Sequence, residues 1–328
     1  MALPIPRATL PAGERFGGFF DGAPPRPAPG GLADVPGAAA LFALVHWGVQ
    51  EDVYAYGEPV EHRAGPRGVV RGREVILAGS YDYLGLLGHP AVEAAAIAAI
   101  RRHGTGTGGV RPLTGTVALH RELEAALAGV KEAEVALTFT SGYLANLAAI
   151  ASLCGPRDRV LLDAKAHRSL RDACVLAQVP HHALPHNDVA ALREALAREP
   201  GRRTLVVVDG CYSMDGDLAP LPDLVAVARA HGAFLLVDEA HALGTLGKRG
   251  RGLHEHFGLP GSAVDVWTGS LSKAIPANGG YVAGSREVMT LVQHLAAAFC
   301  FSAALAPPCA AAALAALEVI AREPARVA

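Results

Sequence analysis

The sequence predicts an α/β protein with a mostly parallel central sheet and helices on both faces. Three observations predict it. Short apolar runs recur at Val135–Phe139, Val160–Leu162, Thr204–Val208, Phe234–Val237, Val264–Trp267 and Tyr281–Ala283. Amphipathic helical stretches such as Leu221–Ala230 lie between most of them, and strands alternating with helices build a parallel sheet covered on both sides. Residues of unusual chemistry follow the ends of these runs, where the binding crevice of such a sheet belongs.

Composition narrows the function. With 328 residues the chain can bury a sizeable core, as one large domain or two smaller ones. A net charge of −2 excludes the basic field that nucleic-acid binding needs. Cys154, Cys174, Cys211, Cys300 and Cys309 are widely spaced, odd in number and mostly set in apolar runs. They read as reduced, buried thiols of a cytoplasmic protein, not as a disulfide framework or metal site. The start, Met1 to Arg7, has no basic segment followed by an apolar one, so no signal peptide is expected. Leu295 to Leu317 carries no charge, but it is mostly alanine and is broken by Pro307-Pro308. A buried helix, not a membrane span, is expected there.

In chain order, residues 1–38 are rich in proline, glycine and alanine and read as a mobile lead-in. Residues 39–78 form a small N-terminal unit. It holds a helix over 39–56, with Leu41, Leu44, Val45 and Val49 near one face, and a hairpin over Val69–Leu77 turning at Arg71-Gly72-Arg73. Residues 79–290 form the large α/β domain. It opens with a tyrosine-dense loop, Gly79 to Leu86, followed by a helix that starts at His89-Pro90 and closes at Gly104. The loop from Gly104 to Thr116 holds five glycines before a helix beginning near His120, a density that suits close backbone approach to a ligand or another chain. Residues 291–328 read as the start of an incomplete C-terminal domain, helical around the double proline.

The strand ends carry the chemistry. After the first run, Ser141-Gly142-Tyr143 opens a helix whose free N–H groups favour a phosphate, although Ser141 also reads as a plain N-cap. After the second comes His167, placed to stack on a flat ring or to sit partly buried and satisfied. After the third, Ser213 or an acid reaches a ring substituent, or Asp215 and Asp217 simply stabilise a tight turn. Asp238 and His241 follow the fourth. Past the fifth, after Thr268-Gly269-Ser270 in a turn, Lys273 is placed to bond an aldehyde, or is an ordinary loop lysine. A pyridoxal phosphate site needs these parts: a lysine for the aldehyde, a carboxylate that keeps the ring nitrogen protonated, and phosphate donors. Metal ligation by His241, Asp238 and His167 has no His-x-x-x-His or Cys-x-x-Cys pair behind it, and no metal is expected.

From about Ser80 to Ala316 the chain resembles the α-oxoamine synthases, fold-type-I pyridoxal-phosphate enzymes that include 8-amino-7-oxononanoate synthase and serine palmitoyltransferase. The resemblance rests on Tyr81-Asp82-Tyr83-Leu84-Gly85-Leu86, the Gly104–Gly109 loop, Ser141-Gly142-Tyr143 with Asn146, His186-Asn187-Asp188, Tyr212 to Asp217, Asp238-Glu239-Ala240-His241 and Ser270-Leu271-Ser272-Lys273. It implies pyridoxal 5'-phosphate held covalently by Lys273, with Asp238 on the ring nitrogen. It puts His241 and Ser213 near the ring hydroxyl and His167 on the ring face. The phosphate falls to Ser141, the backbone of Gly142 and Tyr143, and Ser270. Lys273, His241 and His167 would be catalytic.

The implied reaction is an acyltransfer: a small amino acid condenses with an acyl thioester, usually losing carbon dioxide, to an α-amino ketone. Coenzyme A or an acyl carrier protein would deliver the acyl group. The implied assembly is a homodimer with the site at its interface. Three positions depart from the family pattern. Ala303 stands where a threonine is common, Val110 where a serine is common, and the chain stops at Ala328, short of an arginine that grips the substrate carboxylate. The alternatives are an aminotransferase or aldol-type lyase on the same fold, or a non-catalytic subunit that completes another chain's site.

Overall fold

The structure, a computed structural model, describes residues 17–328. The first sixteen residues of the expected lead-in lie outside the described residues. The chain divides into two compact units, one ending at Gly79 and the other spanning Ser80–Ala328.

The first unit holds helix α1 (Ala38–Gln50) and a three-stranded antiparallel sheet in the order β1 (His62–Ala64), β2 (Arg67–Val70), β3 (Arg73–Ile76). The expected hairpin is β2–β3. Its two-residue turn, Arg71-Gly72, has positive φ at both positions (50° and 69°), the twist a tight hairpin favours. Strand β1 was missed, being only three residues long and polar at His62 and Arg63. Leu41 and Leu44, read as part of an apolar face, are 56% and 62% exposed.

The second unit carries the seven-stranded sheet, in the order β4-β10-β9-β8-β7-β5-β6. Its strands are β4 (Val135–Phe139), β5 (Arg159–Asp163), β6 (His181–Leu184), β7 (Thr204–Asp209), β8 (Phe234–Asp238), β9 (Val266–Ser270) and β10 (Gly280–Gly284). Every neighbouring pair is parallel except the two that β10 makes with β4 and β9. The central strands β5, β7, β9 and β10 are buried along their whole length, as a sheet covered on both faces requires. Edge strand β6 had no apolar run to announce it. It pairs on one side only, and His182 and Ala183 are exposed.

The helices are α2 (Pro90–His103), α3 (Ala118–Lys131), α4 (Gly142–Leu153), α5 (Arg168–Leu176), α6 (Val189–Arg198), α7 (Leu221–Ala230), α8 (Leu253–Phe257), α9 (Arg286–Leu295), α10 (Ala297–Cys300) and α11 (Pro307–Arg322). The sheet separates two apolar cores. One includes Leu123, Trp267 and the alanine-rich face of α11, and the other Leu162, Val207, Ile150 and Phe299. Helix α11 begins at the double proline, which fits a first turn that needs no N–H donors, and packs on α2 and α3. Among the described residues no helix is long and apolar enough to cross a membrane.

One strand is corrected. The strand expected at Val264–Trp267 begins two residues later, at Val266, and runs on past Trp267. Thr268, Gly269 and Ser270, read as a turn, are its last residues, paired to Val282, Tyr281 and Gly280 of β10. Gly269 permits that pairing, because a Cβ there would stand 2.6 Å from the Tyr281 ring.

Candidate active site

A cavity of about 220 Å³ opens at the carboxyl ends of β4, β7, β8 and β9. Its wall brings together Ser141, Gly142, Tyr143, His167, Asp238, His241, Ser270 and Lys273, all picked out in the sequence. Asn146, Asp209, Cys211, Ala240 and Ser272 complete it. Ser213 is not part of the wall. It is exposed on the Cys211–Gly216 turn, while Cys211 lines the cavity. Among the described residues no cluster of histidines, cysteines and acids could hold a metal.

On the β4 side, Ser141 caps α4, its Oγ accepting the Leu144 N–H at 3.2 Å. That leaves the first-turn N–H groups of Gly142 and Tyr143 without intrahelical acceptors, the arrangement that holds a phosphate. Residue 142 has no room for a side chain, since a Cβ would stand 2.9 Å from the Cβ of Ser270. The helix start and the end of β9 are thereby held against each other. Ser270 Oγ also meets Ser272 Oγ at 2.7 Å and accepts the Ser272 N–H at 3.2 Å, which shapes the turn carrying Lys273.

The carboxylates come from adjacent strands. Asp209 and Asp238 are register partners at the ends of β7 and β8, and both are nearly buried. Asn146 Nδ2 donates to Asp238 Oδ2 at 2.7 Å, and the Ala240 N–H donates to Oδ1 at 2.9 Å. The same Nδ2 donates to Ser169 Oγ at 2.8 Å, while Asn146 Oδ1 is buried without a partner. Asp209 accepts the His167 N–H at 3.1 Å. Burial, then the charge of Asp238 beside it, holds the Asp209 carboxyl well above the usual carboxylate range.

The nitrogen bases are tuned by burial. Lys273 lies beside these two carboxylates, yet burial outweighs their pull and lowers its affinity for a proton. A lysine so placed offers more free amine to an aldehyde than a solvated one. His241 is pushed down to about 4 by burial and then by Lys273, so it is neutral at pH 7. Its Nδ1 lies 2.8 Å from the Tyr83 hydroxyl. The ring of His167 is held through Nδ1, 2.7 Å from Ser169 Oγ.

These residues fit pyridoxal phosphate. The cavity offers a proton-poor amine, an anchored carboxylate, and a helix start with free N–H groups that the glycine at 142 lets lie against Ser270. The sequence had quoted Asn146 as a motif member without a role. Ser272 likewise stands in the Ser270–Lys273 motif without a role of its own, and Asp209 and Cys211 gained one only when strand order set the end of β7 beside Asp238.

The model of the aminotransferase class I and II family matches residues 73–328. The chain is 45% identical over 272 residues to 8-amino-7-oxononanoate synthase of Geobacter sulfurreducens, a match covering 83% of this chain and 69% of that protein. It is 44% identical over 264 residues to the enzyme of the same name from Symbiobacterium thermophilum, covering 80% and 67%. Among solved structures, serine palmitoyltransferase of Sphingomonas wittichii aligns with a TM-score of 0.82 at 36% identity, covering 86% of this chain and 71% of that one.

Proposed function

Since the chain belongs to the α-oxoamine synthase family, within the class I and II aminotransferases, we propose that it condenses a small amino acid with an acyl thioester. The amino acid loses its carboxyl group as carbon dioxide, the thiol leaves, and one new carbon–carbon bond gives an α-amino ketone. The observation that carries this is the single cavity joining Lys273, Asp238, His241 and His167 to the start of α4.

Bound pyridoxal phosphate supplies an electron sink for negative charge at the substrate α-carbon. The rest is done by side chains. Lys273 would hold the cofactor through its free amine and then move the proton at the α-carbon. Asp238, oriented by Asn146 and the Ala240 N–H, would keep the ring nitrogen protonated. His167 would cover the ring face, with its backbone fixed by Asp209. The N–H groups of Gly142 and Tyr143, with the Ser141 and Ser270 hydroxyls, would bind the phosphate. His241, neutral near pH 7, would donate to the ring oxygen or to the oxyanion that develops on the thioester carbonyl.

A second copy of the chain would complete the assembly as a homodimer, with the acyl group delivered by coenzyme A or a carrier protein in the cytoplasm. Exposed apolar side chains in the large unit support the dimer, with Met214 at 92%, Phe301 at 86% and Leu113 at 78%. Five free cysteines agree with a reducing compartment.

The test is the visible absorbance of the purified chain with pyridoxal phosphate, followed by glycine, alanine and serine in turn. A band that forms and then shifts with one amino acid is expected. With that amino acid and an acyl-coenzyme A, mass spectrometry should find the amino ketone. Absence of any band would overturn the reading.

A further inference from the structure

The tyrosine loop at Tyr81–Leu86 has no part in the reaction as derived above, yet its geometry bears on His241. Asp82 fastens the loop, its Oδ1 accepting the Leu86 and Leu87 N–H groups at 2.9 and 3.2 Å. Gly85 turns the backbone at φ +61°, while Leu84 and Leu86 are anchored in the core. Tyr83, between Asp82 and the buried Leu84, is 45% exposed, but its hydroxyl lies 2.8 Å from His241 Nδ1, across 158 residues of sequence. The ring centres are 6.0 Å apart. Among the described residues His241 Nε2 has no hydrogen-bond partner.

We propose that Tyr83 is a positioning residue that fixes the tautomer of His241, donating its hydroxyl proton to Nδ1 so that Nε2 carries the ring proton. This rests on the proposed function, which puts His241 beside the cofactor. A neutral imidazole has one N–H and one lone pair, and the partner of one nitrogen decides which role the other takes. A phenol is the better donor of this pair and an imidazole nitrogen the better acceptor. Both stay neutral near pH 7. Burial, with Cys211 and Tyr81 nearby, raises the Tyr83 phenol. Burial and Lys273 lower His241 despite the opposing pull of Asp238, and His167 lowers it further. Nε2–H is then a donor held ready for an oxygen in the cavity. With the other tautomer, Nε2 would be a lone pair that repels that oxygen.

The test is ¹⁵N NMR of the histidine-labelled full chain at pH 7.5, with and without pyridoxal phosphate, the His241 signals being assigned by their loss in His241→Asn. The expected result is a protonated Nε2 and a bare Nδ1 in the native chain, before any cofactor is added. Tyr83→Phe, checked for native circular dichroism, should show a mixture of tautomers and lose about tenfold in kcat, with KM for the thioester little changed. A proton on Nδ1 in the native chain overturns the proposal without any variant, and so does an unchanged Nε2–H tautomer in Tyr83→Phe. If the tautomer is as expected but cofactor leaves the His241 signals unmoved, Tyr83 keeps its role and the placement of His241 beside the cofactor fails instead.

Discussion

Asp238 and Glu239 are consecutive acids with nearly equal burial, 5% and 0% exposed, and they belong to opposite kinds of site. Glu239 accepts from Lys131 Nζ at 2.9 Å and from the Leu253 N–H at 3.1 Å. Lys131 also donates to the Arg251 carbonyl at 2.9 Å and stands 4.0 Å from the Trp267 ring centre. Both side chains of the pair are fully buried and satisfied. Together they tie the end of α3 to the segment after β8. Asp238 instead lines a cavity, beside an amine that burial makes poor in protons and a carboxamide oxygen with no partner. An extended backbone sends successive side chains to opposite sides, so one acid enters the core and its neighbour the site. Burial of charge alone identifies neither. What distinguishes them is whether the cluster closes on itself or leaves groups facing an open volume.

The sharpest way to break the open cluster is Lys273→Ala. It should abolish the visible band of lysine-bound cofactor completely, while thermal unfolding stays within a few degrees of native. A persisting band would remove Lys273 from its role. Asp238→Asn keeps the shape and removes the charge. Steady-state kinetics should show kcat down by about 10²–10³-fold, the scale of losing one preorganised electrostatic group. Full turnover in that variant would refute the assigned role.

The closed cluster should respond in stability instead. Lys131→Met leaves Glu239 buried without its cation and should cost about 3–5 kcal/mol. For a chain of this size that lowers the melting temperature by roughly 10 °C. If Lys131→Met melts normally but loses turnover, the division between the two clusters is wrong.

A subtler test uses two histidines with opposite pH slopes. Burial opposes protonation of His186, but hydrogen bonds to Asp163 (2.9 Å) and Asp217 (2.7 Å) raise it overall. Its contribution to stability is therefore full below about 6.5 and fades as pH rises through the raised value. His241 is lowered to about 4. Its contribution is present above about 6.5 and is lost as pH falls toward that value. Melting temperature against pH should flatten on the alkaline side in His186→Gln and on the acid side in His241→Asn. The same change of slope in both variants would contradict these assignments.

Much of the fold was legible because its signals are local. The central strands are apolar nearly throughout, and helix α7 was read with its observed bounds because its apolar period is regular. The helix after His89-Pro90 has proline in its first turn and ends at Gly104 as expected. Strand β6 and the last three residues of β9 escaped notice. The first is a half-exposed edge, and the second is built of threonine, glycine and serine, which read as a turn without the pairing to β10.

By itself the sequence determined the alternation of strands and helices and the order in which a capping serine, a histidine, an acid and a lysine follow successive strands. Those are properties of neighbouring residues. Only the tertiary structure decided which strands lie side by side. That order puts Asp209 next to Asp238, and folding brings Asn146 to Asp238 across 92 residues and Tyr83 to His241 across 158. No local pattern encodes such pairs, because each depends on how the whole sheet closes its core.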